Sequence, residues 1–176
     1  SCPDLIKTSW NNAIDFVMNS SDDDFKANIE TYFDLQSLLD YHIYGLYMCG
    51  IDQYGKNQIY MTYDGAKWIA SMYDMDSTWG LYWNGQTLLG TDYGRDQYED
   101  QIQGRLGNLL YERIEHNYYA ELLARWNELK TSALSMSNIV NRFERLSDVA
   151  PLDLVKEDYA STTGNGAYTG IPSVTK

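Results

Sequence analysis

One stretch of this chain breaks an otherwise helical pattern. Between residues 57 and 72, apolar side chains recur at alternate positions on either side of Asp64-Gly65. A period of two means pleated backbone, and Asp-Gly between two such runs is a hairpin signal. Residues 57–63 and 67–72 therefore read as two strands. Ile59, Met61 and Tyr63 share one face of the first, and Trp68 and Met72 face similarly on the second. Elsewhere the apolar spacing is three and four. The fold class that follows is α+β and mainly helical, with a central β-hairpin flanked by helices.

The flanking elements follow from the same reading. Leu5, Ile6, Ala13, Ile14 and Val17 set a helix over about 4–18. Ser21 with Asp24 fits the capped start of a short helix running through Ile29. Asp34 is placed to cap a third, whose apolar stripe is Leu35, Leu38, Leu39, Ile43, Leu46 and Tyr47, with Gly50 as the terminating glycine. Residues 77–96 are rich in Gly, Asn, Thr and aromatics and read as a long loop carrying Trp79, Tyr82 and Trp83. Helices then cover about 97–115, 118–131 and 137–146. Their inward residues are Ile102, Leu106, Leu109, Leu110 and Ile114, then Leu122, Leu123, Trp126 and Leu129, then Ile139, Val140 and Phe143. Residues 1–176 read as a single domain that continues beyond this sequence, with 161–176 as a flexible tail.

Charge narrows the partners. The net charge is −12, with no run of Lys or Arg to offset it. Nucleic acid and anionic membrane are poor partners for such a chain, whereas a nucleotide can bind where Mg²⁺ neutralises its phosphates. No transmembrane run or signal peptide is present, and the start at Ser1-Cys2-Pro3 reads as a processed or trimmed end. The two cysteines, Cys2 and Cys49, are too few for a disulfide scaffold, though they can pair; Cys49 otherwise reads as a buried free thiol. His42 and His116 lack metal-ligand spacing, which argues against zinc. The 16 tyrosines read as part-buried side chains with hydroxyls at the edge of a core, or else as a surface for glycan or protein.

The chemistry gathers around the hairpin. Asp52 follows a helix, and the polar run 53–56 reads as an exposed turn. Asn57 opens the first strand, and the second ends at Tyr73-Asp74-Met75-Asp76. A hairpin returns the chain close to where it left, so Asp74 can join Asp52 and Asn57 at one cleft. Asp74 and Asp76 share a face if the strand continues through them. Such hard oxygen donors suit Mg²⁺ or Mn²⁺. The order helix, Asp, turn, Asn, hairpin, D-x-D matches the catalytic and metal-binding loops of protein kinases. Turn, amide and capping roles remain open for the same residues. So does a two-carboxylate glycosidase built on Asp52 and Asp74.

These residues resemble the CotH family, the spore-coat-protein-H kinase-like proteins. The helix opening Asp34-Leu35-Gln36-Ser37-Leu38-Leu39-Asp40-Tyr41 looks like the family's helix before its catalytic loop. Asp52 with Asn57 is similar to its D-x-x-x-x-N. The strand from Lys67-Trp68 to Tyr73-Asp74-Met75-Asp76-Ser77-Thr78-Trp79-Gly80 resembles its aromatic-D-x-D segment, and Arg105, Leu109 and Leu110 its closing helices. The likeness runs from about Leu5 to Leu146. It implies a protein-kinase-like C-lobe. Asp52 is then the catalytic carboxylate, and Asn57 and Asp74 hold Mg²⁺ or Mn²⁺. Asp76 acts beside them or in place of Asp74, and Lys56 meets the transferred phosphate of ATP.

The resemblance also implies a protein substrate on a spore coat or bacterial cell surface. Departures from the kinase pattern are visible. Cys49-Gly50-Ile51 precede Asp52 where H-R would stand, and neither D-F-G nor a Gly-rich loop is present. The expectation is a phosphotransferase lobe that is inactive or nearly so by itself, because positioning of the nucleotide supplies most of the catalysis. The other class kept open is a non-catalytic surface, adhesion or phage-structural module, whose loop around Trp79, Tyr82 and Trp83 touches glycan or protein.

Overall fold

The computed structural model describes residues 3–50, 53–75, 78–79, 108–149, 151, 153–154 and 157. Within them, three helices lead into a two-stranded hairpin and three more follow. The first three are α1 (Asp4–Asn19), α2 (Asp22–Tyr32) and α3 (Leu35–Tyr47). The hairpin is β1 (Gln58–Met61) with β2 (Ile69–Met72), and α4 (Leu109–Asn117), α5 (Tyr119–Leu129) and α6 (Met136–Val149) follow. The arrangement is the α+β, mainly helical class with its hairpin flanked by helices.

Capping chemistry sets several of these boundaries. The Ser21 hydroxyl accepts from the Asp24 amide at 3.1 Å and opens α2. The Asp34 carboxylate accepts from the Ser37 amide at 2.7 Å and opens α3. Asn108 caps α4, its side chain accepting from the Tyr111 amide. This cap shortens the helix expected over 97–115, whose residues 97–107 lie outside the described set.

Aromatic packing joins the layers. Phe16 stacks on Phe25 at 5.5 Å and on Tyr32 at 4.3 Å, closing α1 on α2. Trp10 meets Trp68 at 4.8 Å and Tyr60 at 5.0 Å, seating the hairpin on α1. The return arm is tied to the α2–α3 corner: Trp68 N–H donates to Tyr32 C=O and Asp34 N–H to Trp68 C=O, both at 2.8 Å. The Ser37 hydroxyl of α3 accepts from the Ala70 amide at 3.1 Å.

The hairpin faces differ from expectation. The antiparallel register pairs Gln58 with Met72 and Tyr60 with Ala70. Directly opposed residues share a face, so Tyr60, Ala70 and Met72 point inward. Ile59, Met61 and Tyr63 point outward, Tyr63 being 92% exposed. The reason is steric: the Tyr60 ring fills the space between Trp10 and Phe33, opposite the small Ala70.

Several expected core residues are likewise exposed, namely Leu5, Ile14, Leu109, Leu123, Val140 and Phe143. Conversely, Tyr41, Tyr54, Tyr111 and Tyr118 are buried rather than edge residues. No described helix is long and apolar enough to cross a membrane.

Candidate functional site

The site begins where α3 stops. Cys49 N–H donates to Leu46 C=O at 3.2 Å and Gly50 N–H to Gly45 C=O at 2.9 Å. This pair of bonds closes a helix whose next residue is left-handed. That residue is Cys49, with φ 56°, and not Gly50 as the sequence suggested. Gly50 is needed for another reason: a Cβ there would lie 2.4 Å from Gln53 Cγ. The missing side chain lets Gln53 fold back into the protein.

Residues 53–56 are therefore not a uniformly exposed turn. Gln53 is 1% exposed and Tyr54 is also buried, while Gly55 and Lys56 face solvent. The Gln53 carboxamide donates to the backbone carbonyls of Tyr73 at 3.4 Å and Asp74 at 3.2 Å. Asn57, also buried, donates from Nδ2 to the same Asp74 carbonyl at 3.2 Å. Two carboxamides from the turn thus grip one strand end. Beneath them the Tyr41 hydroxyl lies 2.6 Å from Gln53 C=O and 3.1 Å from Asn57 C=O. Burial pushes the Tyr41 hydroxyl well above the ordinary tyrosine range, with Tyr60 adding to the shift, so it serves as a hydrogen-bond donor.

Asp74 is exposed and adopts φ 53°. The non-glycine residues of positive φ among those described are Cys49, Asp74 and Trp79, which all flank this site. A left-handed residue costs about 1–2 kcal/mol outside glycine, less for Asp, and such strain concentrates at functional loops. Here it turns the Asp74 carbonyl toward Gln53 and Asn57 while its side chain stays at the surface. With Nδ2 of Asn57 committed, Oδ1 is the carboxamide atom left for a cation. An amide oxygen and a carboxylate are hard donors that fit Mg²⁺ or Mn²⁺.

The placement of the expected residues is then as follows. Asn57 and Asp74 are brought together through the Asp74 backbone, and Lys56 lies exposed on the same turn. Asp52 and Asp76 lie outside the described residues. Among the described residues no group of three or more His, Cys, Asp or Glu could hold a metal ion. Trp79 is packed within the chain: its indole N–H donates to Tyr47 C=O at 3.2 Å, and its ring meets Phe143 at 5.1 Å. It is therefore part of the fold and not a free platform; Tyr82 and Trp83 lie outside the described residues. Cys49 is a free, half-buried thiol raised by burial, which disfavours a reactive thiolate. Cys2 lies outside the described residues.

Sequence reasoning passed over Gln53, Tyr41, Tyr54 and His42. The available signal was Gly45 in mid-helix, because a Cβ there would come within 3.0 Å of the Tyr54 hydroxyl oxygen. Comparison with known proteins adds one finding: the family model described as CotH kinase protein matches residues 6–169. No curated protein and no solved structure gives a match.

Proposed function

The chain belongs to the CotH kinase protein family, and from that premise we propose that its hairpin site takes part in phosphoryl transfer from ATP to a protein hydroxyl. The observation that carries this reading is the double grip of Gln53 and Asn57 on the Tyr73–Asp74 carbonyls. It supports a rigid relation between the turn and the strand end, the two segments that this chemistry requires.

In this reading Asp52 accepts a hydrogen bond from the acceptor hydroxyl and orients its oxygen toward the γ-phosphorus. The new P–O bond forms as the bond to the β-phosphate oxygen breaks; ADP leaves, and the hydroxyl proton passes by way of Asp52 to water. Lys56 meets the transferred phosphate. Asn57 Oδ1 and the Asp74 carboxylate, with Asp76, would hold Mg²⁺ or Mn²⁺. When bound, the cation offsets phosphate charge against a chain of net charge −12. The acceptor is a coat or cell-surface protein.

Mn²⁺ titration, with and without ATP, tests the site. Asp74→Ala should weaken Mn²⁺ binding by about tenfold or more. A wild-type chain that binds no Mn²⁺ at millimolar concentration, alone or with ATP, would falsify the reading.

A further inference from the structure

A second set of contacts reaches the same turn from below. His42 is on α3, is 2% exposed, and has a partner at each ring nitrogen. Nε2 lies 3.0 Å from Glu115 Oε1 of α4, and Nδ1 lies 3.0 Å from the Tyr54 hydroxyl. That hydroxyl also lies 2.9 Å from the His42 carbonyl oxygen. The Tyr54 backbone carbonyl accepts from Gln58 Nε2 at 2.8 Å and from Asn108 Nδ2, the cap of α4, at 3.2 Å. Helix α4 therefore holds Tyr54 from both sides, once through Asn108 and once through Glu115 and His42. Gly45 completes the arrangement, since its bare Cα admits the Tyr54 hydroxyl beside α3. A glycine inside a helix costs about 1 kcal/mol relative to alanine, so its presence there has a packing reason.

The direction of one bond follows from the groups. A carbonyl only accepts, so the Tyr54 hydroxyl donates its hydrogen to the His42 C=O and offers its oxygen to Nδ1. The imidazole thus lies between the Glu115 carboxyl and the Tyr54 oxygen, in contact with both.

We propose that Glu115, His42 and Tyr54 form a positioning chain for the candidate site, fixing the turn 53–57 against Tyr73–Asp74. The proposal rests on the phosphoryl-transfer reading for its purpose, but its geometry stands apart from it. Among the described residues, the His42 ring makes its hydrogen-bond contacts with Glu115 and Tyr54, not with Asn57 or Asp74. Among the described residues, the titratable groups that face it or line its cleft are Tyr47 on α3, Tyr54 on the turn, Tyr111, Glu112, Glu115 and His116 on α4, and Tyr119 on α5. Its cleft, about 870 Å³, lies between α3, α4 and α5, and Glu115 lines it.

The test compares amide NMR spectra and Mn²⁺ affinity of the chain and its variants at one pH. Amide signals of Gln53, Asn57 and Asp74 should move in Tyr54→Phe, which keeps the packed ring, and the same signals should move in Glu115→Gln. They should stay in place in Glu112→Gln, an acidic change in the same cleft. Mn²⁺ affinity should fall about tenfold in Tyr54→Phe. Site amides that stay in place in Tyr54→Phe or Glu115→Gln, or that move as far in Glu112→Gln, overturn the proposal. A wild type that binds no Mn²⁺ overturns the site reading instead, while the amide shifts still decide the positioning chain.

Discussion

Asn57 shows how one atom can hold a site together. Its Nδ2 donates to the Asp74 carbonyl, and the reverse polarity at that atom would be repulsive. Asn57→Asp places an acceptor against an acceptor; Asn57→Ala leaves the carbonyl without this partner. Each should cost about 1–3 kcal/mol, with Asp the more destabilising, read from urea midpoints at neutral pH. Mn²⁺ should recover more of the loss in Asn57→Asp than in Asn57→Ala, because only the former keeps an oxygen ligand at position 57. The pairing of Asn57 with Asp74 was legible in the sequence, because a hairpin must return near its start. Gln53 was not legible: a polar residue in a polar turn gives no sign that it folds inward. Its burial depends on Gly50 lacking a Cβ, a fact about three-dimensional distance.

At the scale of elements, the hairpin turn is governed by Asp64. Its carboxylate accepts from the Ala66 and Lys67 amides, each at 2.9 Å, and from the Thr62 hydroxyl at 3.0 Å. These bonds, the Ala66 amide foremost, hold its carboxyl below the usual carboxylate range. A lowered folded value stabilises the native state above the ordinary carboxylate value of about 4, and that contribution is lost as pH falls through the lowered value. Thermal melts should therefore show wild type losing its advantage over Asp64→Asn in acid, with the two curves converging as pH falls through the lowered value. A constant difference across that range would count against the assignment. The turn was legible because Asp-Gly carries its own geometry, with Gly65 at φ 76°. The strand faces were not. Alternation fixes which residues share a side, while the space left by Trp10, Phe33 and Ala70 chooses which side is buried.

Over the whole molecule, Arg113 joins the two helical groups. From α4 it donates to Val17 C=O at 2.8 Å, to the Ser20 hydroxyl and Ser21 C=O at 2.9 Å each, and to Asp22 at 3.1 Å. Its guanidinium lies 4.2 Å from the Phe25 ring centroid. The α1–α2 corner is thereby clamped to the helix that also carries Asn108 and Glu115. Arg113→Lys keeps the charge and loses the fork, and should cost about 2–3 kcal/mol in denaturant unfolding. A loss below about 0.5 kcal/mol would show that the corner holds without the fork.

The sequence by itself determined the mainly helical class, the hairpin, the caps at Ser21 and Asp34, and the residues Asp52, Asn57, Asp74 and Asp76 as the chemical candidates. These are local properties: spacing, turn propensity and side-chain chemistry within a few residues. Only the tertiary structure decided that Cys49 takes the left-handed position and that Gln53 is buried. It alone linked His42 to Glu115 across 73 positions of chain and sent Arg113 to a corner more than 90 residues away. Contacts of that span leave no local pattern, because each end is an ordinary helical residue until the other arrives.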